Sequence, residues 1–325
     1  MGLTVAVTGP TGEIGTAAVR ALEDDDRVER IVGMARRPFD PASRGWRKTT
    51  YHQGDIQDRS AVDALVAQAD VVLHLAFIIM GSHQESERVN LAGTRNVFEA
   101  TQAAERPSRL VYTSSVAAYG YHADNPVPLT EDVPPRGSDA HYYSAQKAAC
   151  EHLLAETTKD LDVFVLRPCI VAGPEATLLL RNLPWEQAPD PLRRLLGAVP
   201  GLRPVLPDPG VRFQLVHHDD VAAALAAAVA GDGPPGAYNL AADGELTVGD
   251  LARAIGAYTV PVPADLITLT AELIKLLPLV PSQAEWIHAV RHKMIVDTAK
   301  ARRDLGWTPR HSAHETLQAM AKAHH

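Results

Sequence analysis

Short apolar runs alternate along the first half of the chain with longer stretches whose apolar positions recur every three or four residues. The runs are Leu3 to Thr8, Ile31 to Ala35, Thr49 to Gln53, Val71 to Leu75, Arg109 to Thr113 and Val163 to Arg167. Between them the helical period predicts helices through Ala21, near Ala61 to Ala67, over Glu85 to Ala104 and over Tyr142 to Thr157. Apolar strands separated by helices predict a mostly parallel sheet covered on both faces, an α/β fold of the doubly wound, Rossmann type.

The first strand breaks into a helix through Thr8-Gly9-Pro10-Thr11-Gly12-Glu13-Ile14-Gly15. An abrupt strand-to-helix turn calls for positive φ at Gly9, a phosphate lying on the backbone is accommodated by the missing Cβ of Gly12, and close helix packing is helped at Gly15. The helix start then presents unpaired N–H groups and its positive dipole end, where a pyrophosphate can sit without a basic side chain. The spacing of three and three is not G-x-G-x-x-G, so a plain tight turn also satisfies these glycines alone. A dinucleotide site is the stronger reading because strand and helix flank the turn as required.

Composition narrows the partners. The chain has 325 residues, is 46% hydrophobic and carries a formal charge of −8 with no sustained Lys/Arg run, which argues against nucleic acid or an anionic membrane and for a small-molecule substrate. Its two cysteines, Cys150 and Cys169, form no C-x-x-C pair, so a disulfide framework or zinc site of common spacing is not expected. No stretch is long enough to cross a bilayer and nothing at the start resembles a secretory signal. A soluble, reduced, cytoplasmic protein is expected.

About twenty residues past the glycines, where an acid commonly takes the adenosine ribose hydroxyls, stand Ala35, Arg36 and Arg37. The missing carboxylate and the two arginines favour NADP over NAD. Asp55, before Ile56 at the end of a strand, can accept from the adenine amino group or start the next helix. In His74-Leu75-Ala76 the histidine reads as a satisfied buried group, and the small Ala76 lets a cofactor approach.

Two further stretches place reactive groups at the mouth of the sheet. Tyr112-Thr113-Ser114-Ser115 leaves hydroxyls there, and in Tyr143-Ser144-Ala145-Gln146-Lys147 a phenol and an ammonium four apart share one helical face. The ammonium is expected to stabilise the phenolate and lower the tyrosine pKa, giving a usable acid/base, with a serine positioning the substrate oxygen.

With these residues the chain resembles the extended short-chain dehydrogenase/reductase family, which includes NAD-dependent epimerase/dehydratase proteins. Gly9, Gly12 and Gly15 match its T-G-x-x-G-x-x-G turn, and Tyr143 with Lys147 its Y-x-x-x-K pair. Asn90 to Asn96 resembles N-x-x-G-T-x-N, and Leu166-Arg167-Pro168 through Gly173-Pro174 resembles L-R-P…G-P. Val216-His217-His218-Asp219-Asp220-Val221, Tyr238-Asn239-Leu240 and Leu305-Gly306-Trp307-Thr308-Pro309 extend the likeness over nearly the whole chain. The resemblance implies Tyr143 as proton donor or acceptor, Lys147 on the nicotinamide ribose, Ser115 on the substrate oxygen and Asn90 in a proton relay. It implies cofactor contacts from Gly9, Thr11, Gly12, Glu13, Ile14, Gly15, Arg36, Arg37, Asp55, Ile56, Leu75, Ala76, Tyr143, Lys147 and Pro168. A homodimer joined through the helices of Asn90 and Tyr143 is also implied, with Tyr119 and Tyr142 in packing or lid roles.

Departures from the family pattern narrow the reaction. Sugar-nucleotide dehydratases carry acids just after the catalytic hydroxyl, where this chain has Val116 and Ala117; epimerases place an arginine near Phe213, with Arg212 one residue away. The leading expectation is therefore an NAD(P)-dependent oxidoreductase acting on a secondary alcohol or ketone. A sugar epimerase without net redox change comes second and a non-catalytic cofactor sensor third.

Residues 1–170 are expected to form the dinucleotide-binding domain, with later segments returning to it, and 171–325 mainly a smaller C-terminal substrate lobe. Pro184, Pro189, Pro191, Pro200, Pro204, Pro207 and Pro209 make that lobe's beginning loop-rich. Helices are expected near Asp219 to Ala230, Thr247 to Ile255 and Ala264 to Leu277 and after Ser312, with Trp185, Phe213 and Leu276 to Val280 as pocket candidates. Adjacent histidines leaving a strand should point to opposite faces, so His217 and His218 are expected to hold no metal together, with Asp219 or Asp220 capping the next helix.

Overall fold

The computed structural model describes residues 2–79, 83–181, 205–262 and 293–324. The first half supplies β1 (Leu3–Thr8), β2 (Val28–Ala35), β3 (Thr49–Gln53), β4 (Val71–His74), β5 (Arg109–Thr113) and β6 (Asp162–Pro168). Short strands β7 (Ile170–Ala172), β8 (Val205–Asp208), β9 (Arg212–Phe213) and β10 (Leu215–His217) follow. Then β11 (Gly236–Leu240) returns to pair with β6, and β12 (Leu246–Thr247) and β13 (Tyr258–Pro261) complete the described strands. The main sheet is seven-stranded and parallel, in the order β11-β6-β5-β4-β1-β2-β3. Strand order reverses between β1 and β4, and the crevice at their C-terminal ends is where such sheets bind ligands.

The alternation along β1 shows why both faces are covered. Val5 and Val7 join one core with Leu22, Val221, Leu225 and Val229, while Ala6 joins the other with Val62, Phe98, Leu110 and Leu154. The first core lies under α1 (Glu13–Glu23), and the second under α2 (Arg59–Val66), α4 (Thr94–Ala103) and α5 (Tyr142–Thr157). The helix expected as one piece over Glu85 to Ala104 is broken: α3 (His83–Glu87) passes into a π-helical segment, Arg88–Gly93, before α4. This wider turn carries Asn90, and such insertions often accompany functional residues.

α6 (His218–Ala230) packs against α1. α7 (Val248–Ala254), with a Thr247/Asp250 capping box, the short α8 (Ala299–Asp304) and α9 (Ala313–His324) follow. Leu206, Leu215, Leu246, Leu251, Leu317 and Met320 form a third, smaller core. Pro207 lies in β8, which pairs with β13. The helix expected over Ala264 to Leu277, Trp185, Leu276 to Val280 and the prolines from Pro184 to Pro204 lie outside the described residues.

Candidate active site

The β1–α1 turn is built as a cradle. Gly9 has φ +73°, and its N–H donates to Met34 O at 2.9 Å. A Cβ on Gly12 would meet only Gly9 O at 3.6 Å, so the space above it belongs to no side chain, and the backbone of Gly12 caps α1 without a side-chain acceptor. A Cβ on Gly15 would come within 2.0 Å of Gly9 O. That glycine is therefore required by the turn's own carbonyl rather than by the sheet. These features suit a dinucleotide pyrophosphate, with Thr11 exposed and Glu13 and Ile14 half-buried at the rim.

Beyond the C-terminal ends of β2 and β3 a cavity of about 380 Å³ is lined by Arg36, Gln53, Gly54 and Asp55. The Arg36 guanidinium reaches Glu85 at 3.6 Å, whereas Arg37 is not part of that lining. The Asp55 carboxylate accepts from the Gln57 N–H at 3.0 Å; α2 is capped instead by Asp58, which accepts from Ser60 and Ala61. Ile56 is buried and Leu75 and Ala76 are half-buried. Behind them, the buried ring of His74 bridges Thr8 Oγ1 at 2.7 Å and Thr94 Oγ1 at 3.0 Å, joining β1 to α4. Burial, with Lys147 nearby, lowers its pKa to about 3, so it stays neutral.

The expected reactive groups meet at the ends of β5 and α5. Ser115 leads a 3₁₀ turn, Val116–Tyr119, with its Oγ accepting from the Ala117 N–H at 3.2 Å, and its hydroxyl lies near enough to the Tyr143 phenol to favour the phenolate. Ser114 points elsewhere, donating to Glu151 Oε1 at 2.5 Å. Lys147 is buried; its Nζ donates to Thr113 O at 2.9 Å and sits 3.6 Å from the centre of the Phe77 ring. Pro168 is buried at the end of β6.

One electrostatic expectation reverses. Burial raises the Tyr143 pKa to about 12 against the opposing Ser115 hydrogen bond, where the lysine was expected to lower it. The ammonium is turned toward Thr113 O and Phe77 and lies 5.9 Å from the Tyr143 ring centre. Desolvation of the phenolate prevails. Burial likewise pulls Lys147 down to about 8, although Cys150 and Glu151 hold it up.

Asn90 is fully buried and locks a loop: its Oδ1 accepts from the Ile78 N–H at 2.7 Å, and its Nδ2 donates to Ile78 O and Gln146 Oε1, both at 2.8 Å. Its side chain thus holds the segment after β4 against α5. Tyr142 donates to Ile79 O on the same segment. Behind Ser114 lies a network that sequence reasoning missed. Arg167 donates to both Glu151 oxygens, at 3.0 and 2.5 Å, and to Tyr119 Oη at 2.9 Å, and Tyr119 donates to Asn239 Oδ1 at 2.7 Å. The available signal was spacing: Tyr143, Lys147 and Glu151 succeed one another every four residues on α5. Phe77 was missed too, and no local pattern marked it.

His217 and His218 do not diverge. The chain turns from β10 into α6 between them, and their ring centres lie 4.3 Å apart; His311 stacks on His217 at 4.0 Å. The alternation rule applies only within a strand. Nor do the aspartates cap α6: His217 Nδ1 accepts the Asp219 N–H at 3.2 Å, while buried Asp220 takes the N–H groups of Arg310 and His311. Arg212 is exposed beside Glu245, and Phe213 packs on the third core.

A family model described as the NAD dependent epimerase/dehydratase family matches residues 5–241. Sterol demethylase protein B of Methylococcus capsulatus is 32% identical over 179 residues, a match covering 53% of this chain and about half, 52%, of that protein. The dTDP-glucose 4,6-dehydratase of Neisseria gonorrhoeae is 28% identical over 335 residues, covering 94% of this chain and 90% of that one. In fold, the chain matches the Bordetella bronchiseptica enzyme WbmH, solved in complex with NAD+, with a TM-score of 0.71 at 21% identity over 99% of this chain and 98% of the other.

Proposed function

Because this chain belongs to the NAD dependent epimerase/dehydratase family, we propose that it is an NAD(P)-dependent oxidoreductase acting between a secondary alcohol and its ketone. The observation that carries the proposal is the approach of the Ser115 hydroxyl to the Tyr143 phenol, one helical turn from the buried Lys147. The nicotinamide cofactor supplies or accepts the hydride. In the reductive direction Ser115 holds the carbonyl oxygen and Tyr143 gives it a proton, so that ketone, hydride and proton become alcohol. Lys147, held by Thr113 O, would bind the nicotinamide ribose and supply a positive charge one helical turn from the phenolate that is left. A phenol with a pKa near about 12 is protonated at neutral pH, the form that reduction requires.

Asn90 acts by fixing the Ile78 segment against α5. Arg36 in the adenosine cavity supports NADP over NAD, through a 2′-phosphate that would take the place of Glu85 on the guanidinium. Phe77, edge-on to Tyr143 at 5.7 Å, and Val116 give the reacting carbonyl apolar neighbours. They suit a ketone on an apolar frame, as does the likeness to a protein named for sterol demethylation. The parts of the segment from 171 onward that do not return to the main sheet serve mainly as the substrate lobe, and the enzyme works in the cytoplasm as a homodimer joined through the helices of Asn90 and Tyr143. No described helix is long and apolar enough to cross a membrane.

The test is incubation of the purified chain with NADPH and a panel of apolar ketones, alcohols and nucleotide sugars. Consumption of NADPH in proportion to alcohol formed supports the oxidoreductase. Interconversion of sugar epimers with cofactor retained overturns it in favour of the epimerase, and tight cofactor binding without either reaction overturns both.

A further inference from the structure

A second cluster of ligating side chains lies apart from the Ser115, Tyr143 and Lys147 group, where β10 runs into α6. His217 and His218 are buried, at 4% and 2% exposure, and Asp219 is half-exposed beside them. Asp219 Oδ1 is 3.0 Å from His218 Nδ1, and its Oδ2 is 3.6 Å from His217 Nδ1. One ligating atom from each of the three lies within 4.8 Å of the others. A tetrahedral ion with bonds of about 2.0–2.1 Å has ligand-to-ligand edges of about 3.4 Å, so each ring nitrogen stands near that distance from one oxygen of the same carboxylate.

We propose that His217, His218 and Asp219 form a binding site for a divalent transition-metal ion of the zinc or cobalt type. The site is made possible by Gly173: a Cβ there would stand 2.9 Å from His218 Nε2 and 3.0 Å from His217 Nε2, so any other residue would drive the rings from their places. The ion replaces the proton that His218 Nδ1 shares with Asp219 and costs the bond from the Asp219 N–H to His217. Two imidazoles and one carboxylate leave a fourth position open to water on the exposed side of Asp219. Arg20 opposes occupancy, since its guanidinium lies 3.6 Å from Asp219 Oδ1 and also holds Glu175. Bound there, the ion would fix the end of β10 against the start of α6.

The test is titration of the intact, metal-stripped chain with cobalt(II) chloride, read by its visible ligand-field absorption, with zinc content after dialysis measured by mass spectrometry. One tightly held ion per chain is expected. His218→Ala should abolish it, and the exposed change Asp219→Asn should weaken it at least tenfold without touching the fold. Arg20→Gln, also at the surface, should tighten binding severalfold by removing the opposing charge and releasing Glu175, an effect that no purely structural role of these histidines produces. Stoichiometry below one in the parent chain, or affinity unmoved by Asp219→Asn and Arg20→Gln, overturns the proposal. Neither result depends on turnover, so it stands or falls separately from the enzymatic reading.

Discussion

Replacing Glu151 by alanine removes both carboxylate oxygens from the Arg167 guanidinium and the acceptor from Ser114 in one step. The side chains of the ion pair are only 5% and 6% exposed, so water cannot replace the lost partner. Deleting one member of such a pair costs about 3–5 kcal/mol, because the survivor is left charged in a poorly solvating interior. Set against a total stability of about 5–15 kcal/mol, that is a large fraction. With a denaturant slope near about 3 kcal/mol/M, the urea midpoint should fall by about 1–2 M. The double variant Glu151→Ala/Arg167→Met removes both charges and should recover much of the loss, since an apolar replacement of a buried pair is often neutral or better. Equilibrium urea unfolding followed by circular dichroism measures the parent, both single variants and the double variant. A loss below about 1 kcal/mol for the single variant, or a double variant as unstable as the sum of its parts, would refute the reasoning that this pair is desolvated and mutually dependent.

Tyr143→Phe removes the proton donor while keeping the ring, and should lower kcat by about 10²–10⁴-fold with cofactor affinity nearly unchanged, as steady-state kinetics and cofactor fluorescence titration would show. Arg36→Ala should weaken NADPH binding by about 10–100-fold, the loss of one charge-assisted contact, and leave NADH binding almost untouched in the same titration. Lys147 is charged below its lowered pKa of about 8 and neutral above it, so reductive kcat/KM should decline as pH rises through about 8, a limb absent from Lys147→Met. If that limb sits near the ordinary lysine value of about 10.4 instead, the lysine is solvated in the working enzyme.

The parallel sheet was legible because its strands are buried on both faces and read as apolar runs; β1, β3 and β5 fall where the pattern places them. The cradle was legible because Gly9 and Gly12 answer local needs of backbone and ligand. The π-helical break before α4 was not, since one extra residue in a turn barely disturbs the apolar period around Asn90. The sign of the Tyr143 shift was missed because spacing along α5 tells how far apart two groups are, but not how much water each has lost. Glu151, Arg167 and Tyr119 come from three separate elements, and only the folded sheet brings them together. The histidine pair was misjudged because a strand rule was carried one residue beyond the strand's end.

The seat beside β6 is filled by β11, a segment made some seventy residues later in the chain. Until Leu240 has left the ribosome, β6 stands as a raw margin of unanswered amide and carbonyl groups, open to any passing strand. A fragment ending at residue 170 would keep that open edge, and with it a tendency to aggregate.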